Sequence, residues 1–359
     1  MATLTTPSQP GTTAPGRLPP QSLDAEMSLD RGNDTHGMEV LRQALRLGGA
    51  GGYLNNFGDL RTATARLCAR ALEAGIEVPY VQWLIRTRRL VLEEPPYQLE
   101  NWPWALKVHT LGDFRLEREG EPVGFSRKVQ QKPLLLLKAI IALGGKQVRE
   151  EPVSDLLWPD AEGDAAHSAF TTTLSRLREL LGVEEAIRIH EGRATLDARY
   201  CWVDAWAFER LVGEAEDRLT LSRSGRTAGT PPDLAGLAGK ALALYRGHFL
   251  PSDDAHTWTT SYRERLRAKF LRLIGRWGEH LESTGRCRDA VEAYQRGLEV
   301  DELAEALYQR LMGCYMQLGL RAEAMVTYHR CRKILTTALG VEPSPKMEAL
   351  HRALRDQEP

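Results

Sequence analysis

The spacing of apolar residues changes along the chain, and each change predicts a different kind of element. From Met38, Val40, Leu41, Ala44 and Leu45, then Ala63, Leu67, Ala71 and Leu72, then Val81, Leu84 and Ile85 recur three or four apart. That spacing marks amphipathic helices, here interrupted by a glycine-rich break from Gly48 to Gly52. Two or three such helices over residues 38–92 are too few to close a core unaided. Ahead of them, residues 1–37 combine Pro, Thr, Gly and Gln with few large apolar groups, a composition expected of a disordered tail. Behind them, Glu93, Glu94, Pro95 and Pro96 predict a linker over residues 93–104, because proline disfavours helix at the residue before it.

After Trp102 and Trp104 the period becomes two. Leu106 and Val108, then Phe114 and Leu116, with a turn around Gly120, predict short antiparallel strands. Pro133 opens an almost wholly apolar helix, Leu134 to Leu143, which Gly144 and Gly145 stop. A second helix carries Val153, Leu156, Leu157 and Trp158 between Pro152 and Pro159. A third is predicted behind an Asp164 cap and runs to Leu181, with Gly182 as its stop. Ile187 and Ile189 alternate with Arg188 and His190, and Glu191-Gly192 turns the chain toward Ala194 and Leu196. Strands, three helices and a hairpin thus occupy residues 105–200.

Past Tyr200 the pattern is helical through residues 201–355. Asp204 is expected to cap a helix through Trp206, Phe208 and Leu211, and Ser222 to Pro232 form a loop. Gly285, Ala290 and Tyr294 recur as Gly319, Ala324 and Tyr328, each 34 residues on, the period of a tetratricopeptide helix pair. The small residue lets two helices approach and the aromatic fills the space between them.

Composition narrows the function. A length of 359 residues suits two or three units, and 42% hydrophobic with 26% charged residues is ordinary for a globular protein. No run approaches eighteen apolar residues, and the start has no apolar centre behind a positive charge, so no membrane partner is expected and the cytoplasm is the expected location. The formal charge of −1 removes any global electrostatic argument for nucleic-acid binding. Cys68, Cys201, Cys287, Cys314 and Cys331 have neither C-x-x-C nor zinc-type spacing and read as reduced, mostly buried thiols. The stretches Gly144 to Gln147 and Gly236 to Ala241 lack the spacing and the Ser/Thr of a phosphate-binding loop. His109, His167, His190, His248, His256 and His280 are dispersed and read as surface or capping residues. Glu150-Glu151 and Glu184-Glu185 are adjacent and read as solvated charge. No catalytic residue, cofactor or metal site is expected, and no enzyme.

The third helix carries the candidate chemistry. Helical spacing turns Phe170, Leu174, Leu177 and Leu181 inward and leaves Ser168, Thr172, Ser175, Arg176 and Glu179 outward, with Thr171 and Arg178 on one flank. A face that is small, hydroxyl-rich and cationic can enter a major groove of double-stranded DNA and donate to phosphates or base edges. Arg188 and Arg193 follow in the hairpin, placed as a wing, and Arg127, Lys128 and Lys132 precede the first helix. By itself the third helix fits an ordinary solvated amphipath better than a DNA-reading one; the order of the helices, the buried first helix and the hairpin together reverse that preference. Acids slightly outnumber bases between Lys107 and Arg199, so such a site requires segregated charge. Asp155, Asp160, Glu162 and Asp164 gather around the second helix and its loop, a candidate surface for RNA polymerase or another protein.

Leu106 to Leu196, with Trp158-Pro159-Asp160 and Leu174-Ser175-Arg176-Leu177-Arg178, resembles the winged helix-turn-helix of response-regulator type in SARP (Streptomyces antibiotic regulatory protein) activators. Trp202-Val203-Asp204 with Phe208, Leu244-Tyr245-Arg246-Gly247, Phe249-Leu250-Pro251 and the closing run Leu339 to Pro345 resemble the bacterial transcriptional activator domain that partners it. The implied fold is mainly α, a winged helix-turn-helix with small β-sheets followed by an all-α tetratricopeptide-like domain. The implied function is a sequence-specific activator that binds direct repeats at promoters, helps recruit RNA polymerase and self-associates through its repeats. Thr172, Ser175 and Arg176 would then face the groove, with Arg193 a wing contact. Leu41 to Arg89, with Gly52-Tyr53 and Ala69 to Ile76, is similar to the last sensor-repeat helices of large ATP-dependent bacterial activators, so the chain is either a short regulator or the output end of a longer one. Two other readings stand beside this one. The first is a repeat-based adaptor whose winged helix is a docking unit. The second is a small-molecule sensor in which Arg263, Arg265, Arg267, Lys269, Arg272 and Arg276 meet an anion, although their alternation with Leu266, Phe270 and Leu273 fits a solvated basic face better.

Overall fold

The computed structural model describes residues 34–51, 61–124, 131–223, 234–253 and 257–356. The expected tail up to residue 33, Arg127, Lys128, His256 and most of the expected loop from Ser222 to Pro232 lie outside the described residues. The chain divides between Pro103 and Trp104 into two compact units.

The first unit holds α1 (Asp34–Gly51), α2 (Arg61–Glu73) and α3 (Val78–Arg88). Residues 34–37, expected in the tail, already belong to α1, and Gly48 to Gly51 extend that helix instead of breaking it. Glycine weakens a helix, and at Gly49 a Cβ would make ordinary contact with the Tyr80 ring at 3.5 Å, so packing does not demand glycine there. Leu41, Leu45, Leu67, Leu72, Val81, Leu84 and Ile85 are buried. The segment expected as a linker joins this core. Leu90, Leu99 and Trp102 are buried, Asn101 Nδ2 donates to the Leu72 carbonyl at 3.2 Å, and Gln82 Nε2 donates to the Asn101 carbonyl at 2.7 Å. Three helices therefore do close a core, because an irregular strap covers their open side.

The second unit begins with β1 (Leu106–His109), β2 (Arg115–Arg118) and β3 (Glu121–Pro122), joined antiparallel. α4 (Gln131–Ala142), β4 (Val148–Arg149), α5 (Glu150–Leu157) and α6 (Gly163–Leu181) follow, then β5 (Ile187–His190) and β6 (Arg193–Leu196). Leu136, Leu137, Ile140 and Ile141 of α4 are buried together with Phe170, Leu174, Leu177 and Leu181 of α6, the inner faces that helical spacing predicts. Asp164 does not cap α6: Glu162 holds the N-cap position without a side-chain bond, and Asp164 lies in the first turn, where its charge suits the helix dipole. Gly182 ends the helix in the left-handed region at φ 64°. His109 is a core residue, not a surface one; its ring lies edge-on to Trp202 and its Nε2 is 3.2 Å from Glu117.

One strand escapes the helical pattern past Tyr200. β7 (Cys201–Val203) pairs parallel with β1, Leu106 opposite Cys201 and Val108 opposite Val203, so the first sheet is not purely antiparallel. This register places Asp204, the first residue of α7 (Asp204–Arg223), beside the chain leaving β1. Its buried carboxylate accepts from Thr110 N at 2.8 Å, Thr110 Oγ1 at 2.7 Å, Leu111 N at 2.9 Å and Ala205 N at 2.7 Å. Burial pushes its pKa up against the pull of those hydrogen bonds. Gly112 N and Leu250 N tie the same loop to the helical domain, donating to His248 O at 3.0 Å and Thr110 O at 2.9 Å. Lys138 of α4 pairs with Asp253 at 2.7 Å, and Trp206 donates to the Ile141 carbonyl at 3.3 Å while covering Gly145, where any Cβ would collide with its ring.

α8 (Leu234–Leu244), α9 (Thr257–Ser283), α10 (Cys287–Val300), α11 (Glu305–Gln317), α12 (Arg321–Leu339) and α13 (Pro345–Asp356) complete the unit. The repeat is real in space: Ala290, Tyr294, Ala324 and Tyr328 are buried, and Gly285 and Gly319 both take positive φ between successive helices. The basic stripe of α9 is paired within the fold, although Arg265 and Arg272 keep about half of their side chains exposed. Arg263 donates to Phe249 O and Leu250 O, Arg265 and Lys269 meet Glu209, Arg267 meets Asp301 at 2.8 Å, Arg272 meets Glu216 at 2.6 Å and Arg276 meets Thr220. Four of these six cations thus fasten α9 to α7. Among the described residues no helix is long and apolar enough to cross a membrane, and no cluster could hold a metal ion.

Asp204→Ala should strand the Thr110 and Leu111 amides, at roughly 1–3 kcal/mol for each buried donor left unmade, whereas Asp204→Asn retains an acceptor and loses less. Denaturant unfolding of both variants checks this; equal stability of wild type and alanine variant would show that the joint does not need the carboxylate.

Candidate nucleic-acid interface

α5, a turn and α6 pack with α4 as a three-helix unit, and the hairpin β5–β6 stands beside it. Buried Phe170, Leu174 and Leu177 fix the rotation of α6 about its axis, so the opposite face is necessarily outward. Ser168, Thr171, Thr172, Ser175, Arg176, Arg178 and Glu179 are all exposed. Arg176 has no ion-pair partner among the described residues, and the hydroxyls beside it are short enough to let a duplex approach. Arg178 is otherwise engaged: its guanidinium lies 3.4 Å from the Ile187 carbonyl, at the base of the hairpin.

The hairpin is closed by Glu191 and Gly192, both at positive φ, as a two-residue turn matching strand twist demands. Its two arginines differ. Arg188 is ion-paired with Asp197, which Arg199 also holds at 2.7 Å, so its charge is largely balanced within the fold. Arg193 is half-buried and has no ion pair among the described residues, Glu191 included. Lys132, the described member of the basic group before α4, donates to the Leu157 carbonyl at 2.7 Å and lies over the Trp158 ring. Lys132 therefore closes the C-terminus of α5, where a cation suits the helix dipole.

The structure adds a residue that sequence reading passed over. β4 pairs with β6 so that Arg149 is directly opposite Arg193. Like charges at such a pair repel, and Arg149 is exposed and without an ion pair among the described residues. A two-residue strand has no visible period, which is why no pattern pointed to it. His167, expected at the surface, is exposed near the start of α6, and its Nδ1 is 2.8 Å from Glu150; this pair means that Glu150 is not simply solvated charge.

Charge segregation is incomplete. A groove of about 670 Å³ between α5, the start of α6 and the hairpin tip is lined by Arg149 and Arg193 but also by Glu150, Glu151, Asp155 and Glu162. Asp160, Glu162 and Asp164 are exposed on the turn and the first turn of α6.

Residues 203–355 match the family described as bacterial transcriptional activator domain. Regulatory protein AfsR of Streptomyces griseus is 28% identical over 261 residues, which cover 71% of this chain and 25% of AfsR. The chain thus spans about a quarter of the length of that relative. Regulatory protein DnrI of Streptomyces peucetius is 24% identical over 268 residues, covering 71% of this chain and 93% of DnrI. Among solved structures, Mycobacterium tuberculosis EmbR in complex with a low-affinity phosphopeptide shares the fold, with a TM-score of 0.54 and 20% identity over 71% of this chain and 66% of EmbR.

Replacing each hairpin arginine separates their roles. Arg193→Ala should weaken binding to specific and random DNA by similar factors and lower the salt slope by about one counterion, whereas Arg188→Ala should leave the slope near wild type. Binding isotherms at several salt concentrations read both, and an unchanged slope for Arg193→Ala would remove the hairpin from the interface.

Proposed function

We propose that this chain, a transcriptional regulator of the SARP type and not an enzyme, binds direct repeats in double-stranded DNA through α6 and the hairpin, activating transcription from the adjacent promoter. The observation that carries this reading is the outer face of α6. Ser168, Thr171, Thr172, Ser175 and Arg176 form an exposed stripe opposite a face locked into the core, and Arg176 has no acid to neutralise it among the described residues. Arg176 is the base-reading residue, since a guanidinium can donate twice to guanine O6 and N7. The hydroxyls and the Arg149–Arg193 pair contact phosphates and set register. For those two opposed arginines, a phosphate supplies the counter-charge that the fold does not. Arg178, Lys132 and Arg188 act indirectly, by holding the hairpin and the C-terminus of α5 in place. Adjacent copies associate through their helical repeats in the same reading.

The exposed acids Asp160, Glu162 and Asp164, on the turn before α6 and in its first turn, carry the wrong charge for DNA and are assigned to RNA polymerase. A triple alanine variant should keep wild-type DNA affinity and lose activation in a purified transcription assay; equal loss of both activities would place these residues in folding instead.

Arg176→Ala should cost about 1–3 kcal/mol of specific DNA affinity and relax the preference at one base position in each repeat. A selection from random DNA followed by isotherms across a salt series measures both. Wild-type affinity and selectivity in this variant would exclude Arg176 from the interface, and affinity indifferent to salt in the wild type would overturn the DNA-binding reading itself.

A further inference from the structure

A groove of about 400 Å³ runs between α10 and α12 over the surface of α11. Leu298, Tyr308, Leu311, Tyr315 and Val326 supply its apolar lining. Its volume falls within the range of small-molecule sites. Val326 is 67% exposed, although α12 could turn a polar residue outward there at no cost to the core.

The polar groups around the groove fall into two classes. Gln295 donates to the Tyr315 hydroxyl at 2.9 Å, and Thr327 Oγ1 donates to the Glu323 carbonyl at 2.7 Å, so these are satisfied. The Tyr308 hydroxyl is not: the residue is 1% exposed and its O–H finds no acceptor among the described residues. A buried phenol almost always finds one. Arg330, also on the groove, has no ion pair among the described residues, and its guanidinium lies against the Tyr308 phenol, where its charge and its N–H groups both bear on the phenol oxygen. Burial outweighs that charge and raises the phenol pKa, so Tyr308 stays a donor. An unmet donor and an unpaired guanidinium therefore meet at one end of an apolar trough. Glu323, seven residues from Arg330 on α12, lies about 10 Å away along the helix and leaves that end cationic.

We propose that this groove binds a small apolar carboxylate, its body against Val326, Leu311 and Tyr315 and its carboxylate between Tyr308 Oη and Arg330. The site is independent of the DNA-binding face and differs from the anion site expected on α9, whose cations are paired within the fold.

The test uses the whole chain and two probes of equal bulk, 2-naphthoate and the neutral 2-naphthalenemethanol, followed by calorimetry and by chemical-shift mapping. Naphthoate should saturate one site with a dissociation constant at or below about 1 mM, with shifts confined to α10, α11 and α12. Arg330→Gln, at an exposed position, should weaken naphthoate about tenfold or more and leave the alcohol unchanged. Val326→Glu should abolish binding of both, and Tyr308→Phe should weaken naphthoate and leave the alcohol unchanged, since it removes the donor to the carboxylate. Absence of saturation by naphthoate in the wild type overturns the site. So does wild-type affinity in either Arg330→Gln or Val326→Glu, because binding would then be elsewhere.

Discussion

The second unit depends on a buried carboxylate. Asp204 is reached only because β7 pairs parallel with β1, and that register delivers its side chain to the two amides that β1 leaves unpaired as the chain turns away. Desolvating a carboxylate is costly, and burial accordingly raises its pKa; four donors within 3 Å offset much of that cost. Alternatives are few, since an apolar residue at 204 would leave Thr110 and Leu111 with buried, unmet N–H groups. The loop held in this way also pairs with residues 248–250, so one side chain fixes the winged helix, β7 and the start of the helical domain together. Lys138–Asp253 and the Trp206 ring over Gly145 brace the same joint from α4.

Charge is used in a similar way elsewhere. A chain with 47 basic and 48 acidic side chains is near neutral overall, but its cations are not spread evenly in function. On α9 they are consumed by Glu209, Glu216, Asp301 and backbone carbonyls, and on the hairpin Asp197 takes Arg188 and Arg199. Exposed pairs of this kind contribute little each, but several sharing two acids on α7 fix the register of two long helices. Arg149, Arg176, Arg193 and Arg330 are among the cations that no acid among the described residues pairs with, and at each of them a ligand anion has something to gain.

How much of this was legible in the sequence follows from the range of each interaction. Helical faces are written locally: Phe170, Leu174, Leu177 and Leu181 had to be one side of α6, and the exposed face that carries the candidate site followed without further information. The 34-residue recurrence of Gly, Ala and Tyr was legible for the same reason, since each repeat packs against its neighbour. Pairings between distant segments were not. β7 and β4 are three and two residues long, too short for a period, and they exist because β1 and β6 offer them edges. His109 was misread because only the partner strand and Trp202 bury it. Lys132 and Arg188 carry the right charge for DNA, but their partners, Leu157 O and Asp197, come from outside any local window. Asp164 has the residue type of a cap, yet the helix starts two residues earlier than that type suggests.

The joint bears directly on the reading proposed for the chain. A flexible tether between a winged helix and an activator domain would let DNA binding and partner contacts proceed independently, at the entropic cost of ordering the linker on each encounter. Here no tether exists between β7 and α7, because the last residue of the strand is followed at once by the first residue of the helix. The orientation of α6 relative to the helical repeats is set by Asp204, Lys138 and Trp206 before any ligand arrives. Two copies placed on direct repeats would then present their helical domains at an angle fixed by the spacing of the repeats, and mismatched spacing could not be absorbed by the linker. Under that reading the promoter's geometry, and not only its sequence, is read by the rigidity of one buried carboxylate.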